Sequence, residues 1–312
     1  MRLYIKRLFL TGVIAAIFVT VVGFLNRIHP LFDTVAHFRL HVSVGLILAS
    51  LILLPKRFFL LSAISIFTGL IGLWQAASGT PFTREERATI PDNPVYQMFH
   101  LNLFWINPKK QLVINRIMEI DPQLISISEA STTWEPYLKS LESRWPHTAH
   151  CPEWHVRGGV KILSKWKIDP TDEYCGSYGS FQKSDIILDD GGKVTIGSVH
   201  PRWPWPASGP RQMEEFVPIL QEMGPDALIA GDFNATTWSW STQKFAEAGG
   251  LAMFNGVGGT WMFGALPAPI VRTIGFPIDN VMSKGRVRVL SVETLESLGS
   301  DHLPLLINFQ IE

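Results

Sequence analysis

Eight side chains able to hold a cation or handle a proton stand where apolar runs stop. Asn102 follows VYQMFHL, Glu129 follows QLISIS, and His200 follows KVTIGSV. Asp232 and Asn234 follow DALIAG, Asp279 follows IGFPI, and Asp301 and His302 precede LPLLINF. Short apolar runs of this kind predict strands, and strand ends converge on a sheet edge where loops can build a site. Carboxylates gathered there would repel one another without a cation. Singly, most of these residues have plainer explanations. An Asp-Phe-Asn turn or Asp301 could cap a turn, His200 could be satisfied by its proline-rich loop, and Asn102 could fix a turn. Glu129 is the hardest to explain that way, because an unpaired charge at the end of an apolar strand is costly.

The elements that must position these groups occupy residues 94–312. Beyond VYQMFHLNLFWI, the pattern predicts a helix over Lys109–Ile120, a strand at QLISISE and a helix at TTWEPYLKSL. Strands follow at GGVKILS, SDIILD, KVTIGSVH and DALIAGD, with a helix over Pro210–Met223 before the last. A further helix fits Ser241–Ala248, and strands near Val287–Val292 and Pro304–Phe309 close the chain. Strands mixed with helices over about 220 residues indicate a layered α/β domain. Its two cysteines, Cys151 and Cys175, lack zinc-site spacing. They are either free thiols or a disulfide, the latter favoured only in an oxidising compartment.

Residues 1–75 are of another kind. Apolar stretches run over Leu8–Leu25, His41–Leu54 and Phe58–Trp74, and a helix needs about 20 apolar residues to cross a bilayer, range roughly 17–25. The first and third qualify; the second is short, but its place between them suggests a hairpin. The first lacks the small-residue exit of a cleaved signal peptide. Up to Trp74 lie seven of the 27 basic residues and one of the 27 acidic ones, Asp33, leaving 20 basic and 26 acidic residues beyond. Arg2, Lys6 and Arg7 precede the first span, and Lys56 and Arg57 separate the second from the third. With three crossings both clusters lie on the cytoplasmic side, and everything after Trp74 is delivered outside; two crossings would reverse this. Residues 76–93, with TREER and prolines, read as a linker.

The ordered motifs resemble the endonuclease/exonuclease/phosphatase superfamily across residues 94–312. They are Asn102, DPQLISISE ending in Glu129, GGVKILSKWKI, GSVHPRWPWP with a following RQ, GDFNATTWS, IDN and GSDHLPL. GDFN followed by SDH, with the glutamate upstream, is the most specific part. The layout is similar to bacterial members with an N-terminal membrane region, which implies an inner-membrane protein. The resemblance implies a four-layered α/β sandwich, two packed sheets flanked by helices. It implies Mg²⁺, with Mn²⁺ as the alternative, on Glu129 with Asn102 and Asp301 nearby. Asp232 would orient or deprotonate the attacking water and Asn234 would contact the phosphate. His302, held by Asp279, would act beside the scissile phosphate, and His200 would contact a non-bridging oxygen or the leaving group. A metal and an imidazolium neutralise the charge that phosphodiester hydrolysis builds up. Two positions depart from the pattern: Asn280 stands where close relatives often carry His, and Ser128 where Gln is common.

The fold does not choose the substrate. The acidic balance of the domain disfavours long polyanions, whose binding rests on basic side chains. Trp203, Trp205, Trp238 and Trp240 follow the His200 and GDFN motifs and are expected to rim the cleft, where Trp suits a membrane interface or stacked rings. Three readings follow: a phosphodiesterase acting on a lipid or envelope phosphodiester at the bilayer, an extracytoplasmic nuclease, and a non-catalytic membrane-held binding module.

Overall fold

The computed structural model describes residues 2–54, 58–153, 156–261 and 266–312. Two six-stranded sheets pack face to face. The first runs β11 (Val287–Thr294), β12 (Leu305–Ile311), β1 (Tyr96–Asn102), β2 (Leu124–Ala130), β4 (Gly159–Ser164), β3 (His147–Cys151). The second runs β5 (Lys167–Cys175), β6 (Phe181–Ile187), β7 (Lys193–Val199), β8 (Ala227–Asp232), β10 (Asp279–Lys284), β9 (Ala252–Met253).

Strand alternation sorts side chains between layers. Met98, Leu124, Ile162, Ile196, Leu228, Val281, Ile307 and Phe309 fill the space between the sheets. Phe99, Ile125 and Leu163 point the other way and pack with Ile114 and Ile117 of helix α5 (Lys110–Ile120) and with Trp145. On the far side Phe181 and Ile229 meet Phe216 and Phe245, the latter on helix α9 (Trp240–Gly249). The expected four layers are therefore present.

Each sheet contains one parallel pair, β1 with β2 and β7 with β8, so the carboxyl ends of each pair share an edge. The neighbouring β12 and β10 run antiparallel to β1 and β8 and start at that same edge. This topology corrects one expectation: Asp279 does not end a strand after IGFPI but opens β10, opposite Asp232. Other boundaries also differ. The TTWEPYLKSL helix shrinks to α6 (Glu135–Lys139). The helix expected over Pro210–Met223 divides into α7 (Gly209–Glu215) and α8 (Val217–Gln221), where Pro218 supplies no backbone N–H. Strands β3 and β5 went unread because they are sheet-edge strands with many exposed polar positions. Cys151 and Cys175 form a disulfide that ties β3 to β5 across the two sheets.

The N-terminal helices are α1 (Arg2–Gly23), α2 (Pro30–Ala36), α3 (Arg39–Leu53) and α4 (Phe59–Ala76). Among the described residues two helices, Tyr4–Gly23 and Phe59–Gly79, are long and apolar enough to cross a membrane; α2 and α3, bent by 56°, would make a third if counted together. Lys56 and Arg57, on which the expected orientation leans, lie outside the described residues. Residues 76–93 run along the domain surface: Arg87 N–H donates to Leu290 O at 2.9 Å and Ile90 N–H to Gln310 Oε1 at 2.7 Å.

The bundle is fastened to the α/β domain. Asp33, buried on α2, accepts the Trp240 and Ser241 N–H groups at 2.6 and 3.0 Å, and the Ser241 hydroxyl at 2.8 Å. These donors sit at the first turn of α9, where partial positive charge favours an anion. Trp238 donates its indole N–H to Ala36 O at 2.8 Å, and Arg27 lies 4.5 Å over the Trp240 ring. The tryptophans after GDFN thus face the bundle and not the cleft, contrary to expectation.

Candidate active site

The shared edge collects Asn102 and Glu129 from the first sheet and His200, Asp232 and Asn234 from the second, with Asp279, Asp301 and His302 arriving on the antiparallel neighbours. Asp232 is the centre. Its Oδ2 accepts the Asn102 amide at 3.0 Å and lies 3.5 Å from Nε2 of both His200 and His302. Its Oδ1 accepts the Asn234 N–H at 2.8 Å, and Asn234 Nδ2 donates to Pro201 O at 2.9 Å. His302 Nδ1 lies 2.8 Å from Asp279 Oδ2. Asp232, Asp279 and His302 are all buried, with a ligand atom from each within 4.8 Å of the others.

Burial opposes the charged imidazole of His302, yet the carboxylates of Asp279 and Asp232 outweigh it and raise its pKa to about 10. His302 is therefore an imidazolium at neutral pH. Burial pushes the Asp232 carboxyl up, with the Asp279 charge adding to the rise and His302 opposing it. Burial also acts on Asp279, but His302 and His100 hold it well below the usual carboxylate range.

Glu129 and Asp301 stand beside this ion cluster. Glu129 sits in a bulge of β2, with φ 55, and its Oε2 accepts the Trp105 N–H at 2.9 Å. Phe104 and Asn234, at φ 57 and 49, flank the same edge; left-handed backbone at such residues is costly and gathers at functional sites. Asn102 neighbours Ser128 in the parallel register, and the Ser300 hydroxyl donates to Asn102 O at 2.6 Å, which brings Asp301 alongside. Asp301 Oδ2 accepts the Trp261 indole N–H at 3.1 Å. Two donor sets are thus distinguishable. Asp232, Asp279 and His302 are internally paired, and a protonated imidazole has no lone pair for a metal. Glu129, Asn102 and Asp301 offer hard oxygens of the kind Mg²⁺ or Mn²⁺ takes, so the chemistry of these donors fits such an ion.

Sequence reasoning missed His100 and Trp261. His100 is fully buried; Nε2 lies 3.2 Å from Asp279 Oδ1 and Nδ1 3.1 Å from Ser126 O. The signal was its spacing, two residues before Asn102 on the same strand face. Trp261 left no pattern to read, because an irregular segment carries it. Asn280 is spent structurally: it accepts the Thr237 hydroxyl at 3.0 Å and donates to Ala235 O and Ile278 O, both at 3.1 Å. A cleft of about 430 Å³ opens beside the cluster, with His200 and Asn234 on one wall and Trp105, Tyr178, Arg202 and Trp203 around it. Of the four tryptophans expected at the rim, only Trp203 lines this cleft.

Residues 100–302 match the model of the Endonuclease/Exonuclease/phosphatase family, and the chain belongs to that family. It is 27% identical over 206 residues to a probable RNA-directed DNA polymerase from transposon X-element of Drosophila melanogaster, covering 61% of this chain but 21% of that one. Two solved structures share the fold. D. rerio TDP2 complexed with a single-strand DNA product superposes with TM-score 0.56 at 12% identity, covering 70% of this chain and 100% of that one. Beta toxin from Staphylococcus aureus, a mutant with bound magnesium ions, gives 0.53 at 12% identity with the same two shares. Members of this superfamily are hydrolytic phosphoesterases that use divalent metals.

Proposed function

We propose that this chain is a divalent-metal-dependent phosphodiesterase, held in a membrane by its N-terminal helices, with its catalytic domain outside the cytoplasm. The observation that carries the reading is the buried Asp232–His302–Asp279 ion cluster, next to His200 and Asn234, which line an open cleft. Glu129, Asn102 and Asp301 would hold Mg²⁺, or Mn²⁺ in its place, and the ion would supply charge neutralisation at the phosphoryl oxygens. The rest falls to the protein. Asp232 aligns the attacking water and takes its proton, as a carboxyl with a raised pKa suits a base near neutral pH. Asn234, fixed through its backbone N–H, contacts a phosphoryl oxygen. His302, kept charged by Asp279, balances the negative charge that builds on phosphorus-bound oxygens. His100 holds Asp279 from behind. His200, on the cleft wall, faces a non-bridging oxygen or the leaving oxygen. The water oxygen bonds to phosphorus, the phosphorus–leaving oxygen bond breaks, the departing oxygen takes up a proton equivalent to the one Asp232 accepted, and a monoester and an alcohol result.

Among phosphodiesters, a lipid or envelope headgroup presented at the bilayer is the favoured substrate. The cleft is of small-ligand size, the domain is acidic, and a tether raises the enzyme's effective concentration at the membrane. The Cys151–Cys175 disulfide suits an oxidising compartment. The test is hydrolysis by the full chain in detergent or vesicles of phospholipids, single-stranded DNA and plasmid, with Mg²⁺, Mn²⁺ or chelator. Metal-dependent release of phosphomonoester, lost in Glu129→Ala, is expected. Salt-sensitive plasmid cleavage with inert phospholipids would make the enzyme a nuclease; inertness toward every ester would end the enzymatic reading.

A further inference from the structure

Where the bundle meets the α/β domain, a groove of about 520 Å³ lies between α3, α4 and helix α10 (Ala268–Ile274). Leu40 and Val44 of α3, Leu73 of α4, and Phe82, Thr273 and Ile274 form its walls. Its polar side-chain atoms are occupied within the protein, except for His41 Nδ1, which is buried with no partner. His41 Nε2 lies 2.6 Å from Ile274 O, the Thr273 hydroxyl donates to Pro269 O at 2.9 Å, and the Thr80 hydroxyl to Ala77 O at 2.8 Å. What remains presented is hydrocarbon.

Two of the three walls belong to helices whose outward faces are apolar: Leu48 and Leu51 on α3, and Phe67 and Leu70 on α4, are 55–67% exposed. The groove is therefore continuous with the face the bundle turns to its surroundings. Trp74 and Phe82, 77% and 85% exposed, stand at the end of α4 and just beyond it, where a helix leaving a bilayer places its aromatic residues. The third wall, α10, comes from the catalytic domain and adds the exposed Ile270 and Ile274.

We infer that this groove binds an acyl chain of a membrane lipid, which seals the catalytic domain to the bilayer surface. A polar headgroup or a charged peptide would find no exposed side-chain group free to hydrogen-bond in it, since the one unpartnered atom, His41 Nδ1, is buried. The groove reaches the active-site edge through aromatic contacts. His41 lies 4.6 Å from Phe276 by ring centres, Phe276 6.0 Å from Trp261, and Trp261 holds Asp301. A chain seated there is linked to that carboxylate through three rings, those of His41, Phe276 and Trp261.

The inference rests on the bundle lying in a bilayer, and the experiment separates the two. The full chain carries a single fluorophore on Thr273→Cys, Phe67→Cys or Lys139→Cys, in phosphatidylcholine vesicles with or without brominated acyl chains. Quenching at Phe67 reports insertion of the bundle, and Lys139, on α6, reports the background. Strong quenching at Thr273, at least halved when Val44→Trp fills the groove while Phe67 is unchanged, is the expected result. Quenching at Phe67 but only background at Thr273, or quenching at Thr273 that Val44→Trp leaves intact, overturns the acyl-chain site alone. Background at all three positions overturns the bundle's placement and this site with it.

Discussion

The bundle and the α/β domain solve the burial problem in opposite senses. In α4 the side chains turned inward are Ser62, Ser65, Thr68, Gly69, Gly72 and Ala76, while Leu60, Phe67, Leu70 and Trp74 face out. A Cβ on Gly72 would fall 2.0 Å from Ser43 Oγ, so the small residue is what lets α3 and α4 approach. In the domain the interior is Phe, Leu, Ile and Val, and among the described residues its dense buried charge cluster is Asp232, Asp279 and His302 at the candidate site's edge. Small residues inside and large apolar ones outside is how helices pack when the solvent is lipid; the reverse is how a water-soluble domain packs. One chain thus carries the signatures of two solvents, and Asp33 sits at their junction.

The sharpest way to break the contrast is to remove the domain's buried charge. His302→Ala is expected to lower kcat for a phosphodiester by about 10²–10⁴-fold, the range for losing a charge-stabilising or proton-handling group. Unchanged kcat in purified protein would show that the cluster is structural. Next come paired substitutions that exchange the solvents. Phe245→Ala, in the core between sheet and α9, should cost about 3–5 kcal/mol in denaturant unfolding of the domain. Leu70→Arg, on the outward face of α4, should cost about 3 kcal/mol of membrane insertion and leave the domain's own unfolding midpoint in place. If Leu70→Arg inserts as the wild type does, the bundle is not lipid-facing there.

How far these two regions were legible follows from the same physics. Runs such as DALIAGD and KVTIGSV announce central strands because both of their faces are buried. β5, KIDPTDEYC, announces nothing, since an edge strand keeps its polar residues in water. Most of the candidate site was readable because the two strands of each parallel pair bring their carboxyl ends to one edge of their sheet. His100 was not, because a histidine inside an apolar strand reads as core until its partner, Asp279, is placed opposite by tertiary structure. Asp33 was invisible for a related reason: its partners lie some two hundred residues away at the start of α9, and only the docking of two regions makes it a cap. The inside-out face of α4 could have been seen in the spacing of its serines and glycines, but hydropathy averages over that spacing.

A smaller effect concerns pH in metal-free, chelated protein. His302 is raised from 6.5 to about 10 on folding, so its stabilising contribution is complete below about 6.5 and is lost as pH climbs toward 10. Asp279 is depressed from 3.8; its contribution is present above that value and is lost on acidification. Asp232, raised from 3.8 by burial, loses its contribution as pH climbs, in the same direction as His302. Stability should therefore be highest on the acidic side, just above the range where Asp279 protonates, and decline as pH rises. Urea midpoints at pH 6 and pH 9 read this directly. In His302→Ala the alkaline decline should flatten, and an equal decline in mutant and wild type would assign it to other groups.

The smallest expected effect tests the junction itself. Asp33→Ala removes the acceptor for two backbone N–H groups and one hydroxyl at the start of α9, a loss of about 1–2 kcal/mol by the measure of helix caps. Because α9 begins just beyond GDFNATT, and Asn234 lies on that loop with its N–H on Asp232 at the end of β8, the loosening should reach the candidate site. Faster amide exchange is expected at Trp240 and Ser241, with a modest fall in kcat and the global unfolding midpoint nearly held. Asp33→Asn keeps an acceptor but not the charge and should recover part of the protection. If exchange at Trp240 is the same in all three proteins, the bundle merely rests on the domain, and the loop that carries Asn234 is positioned by the sheet alone.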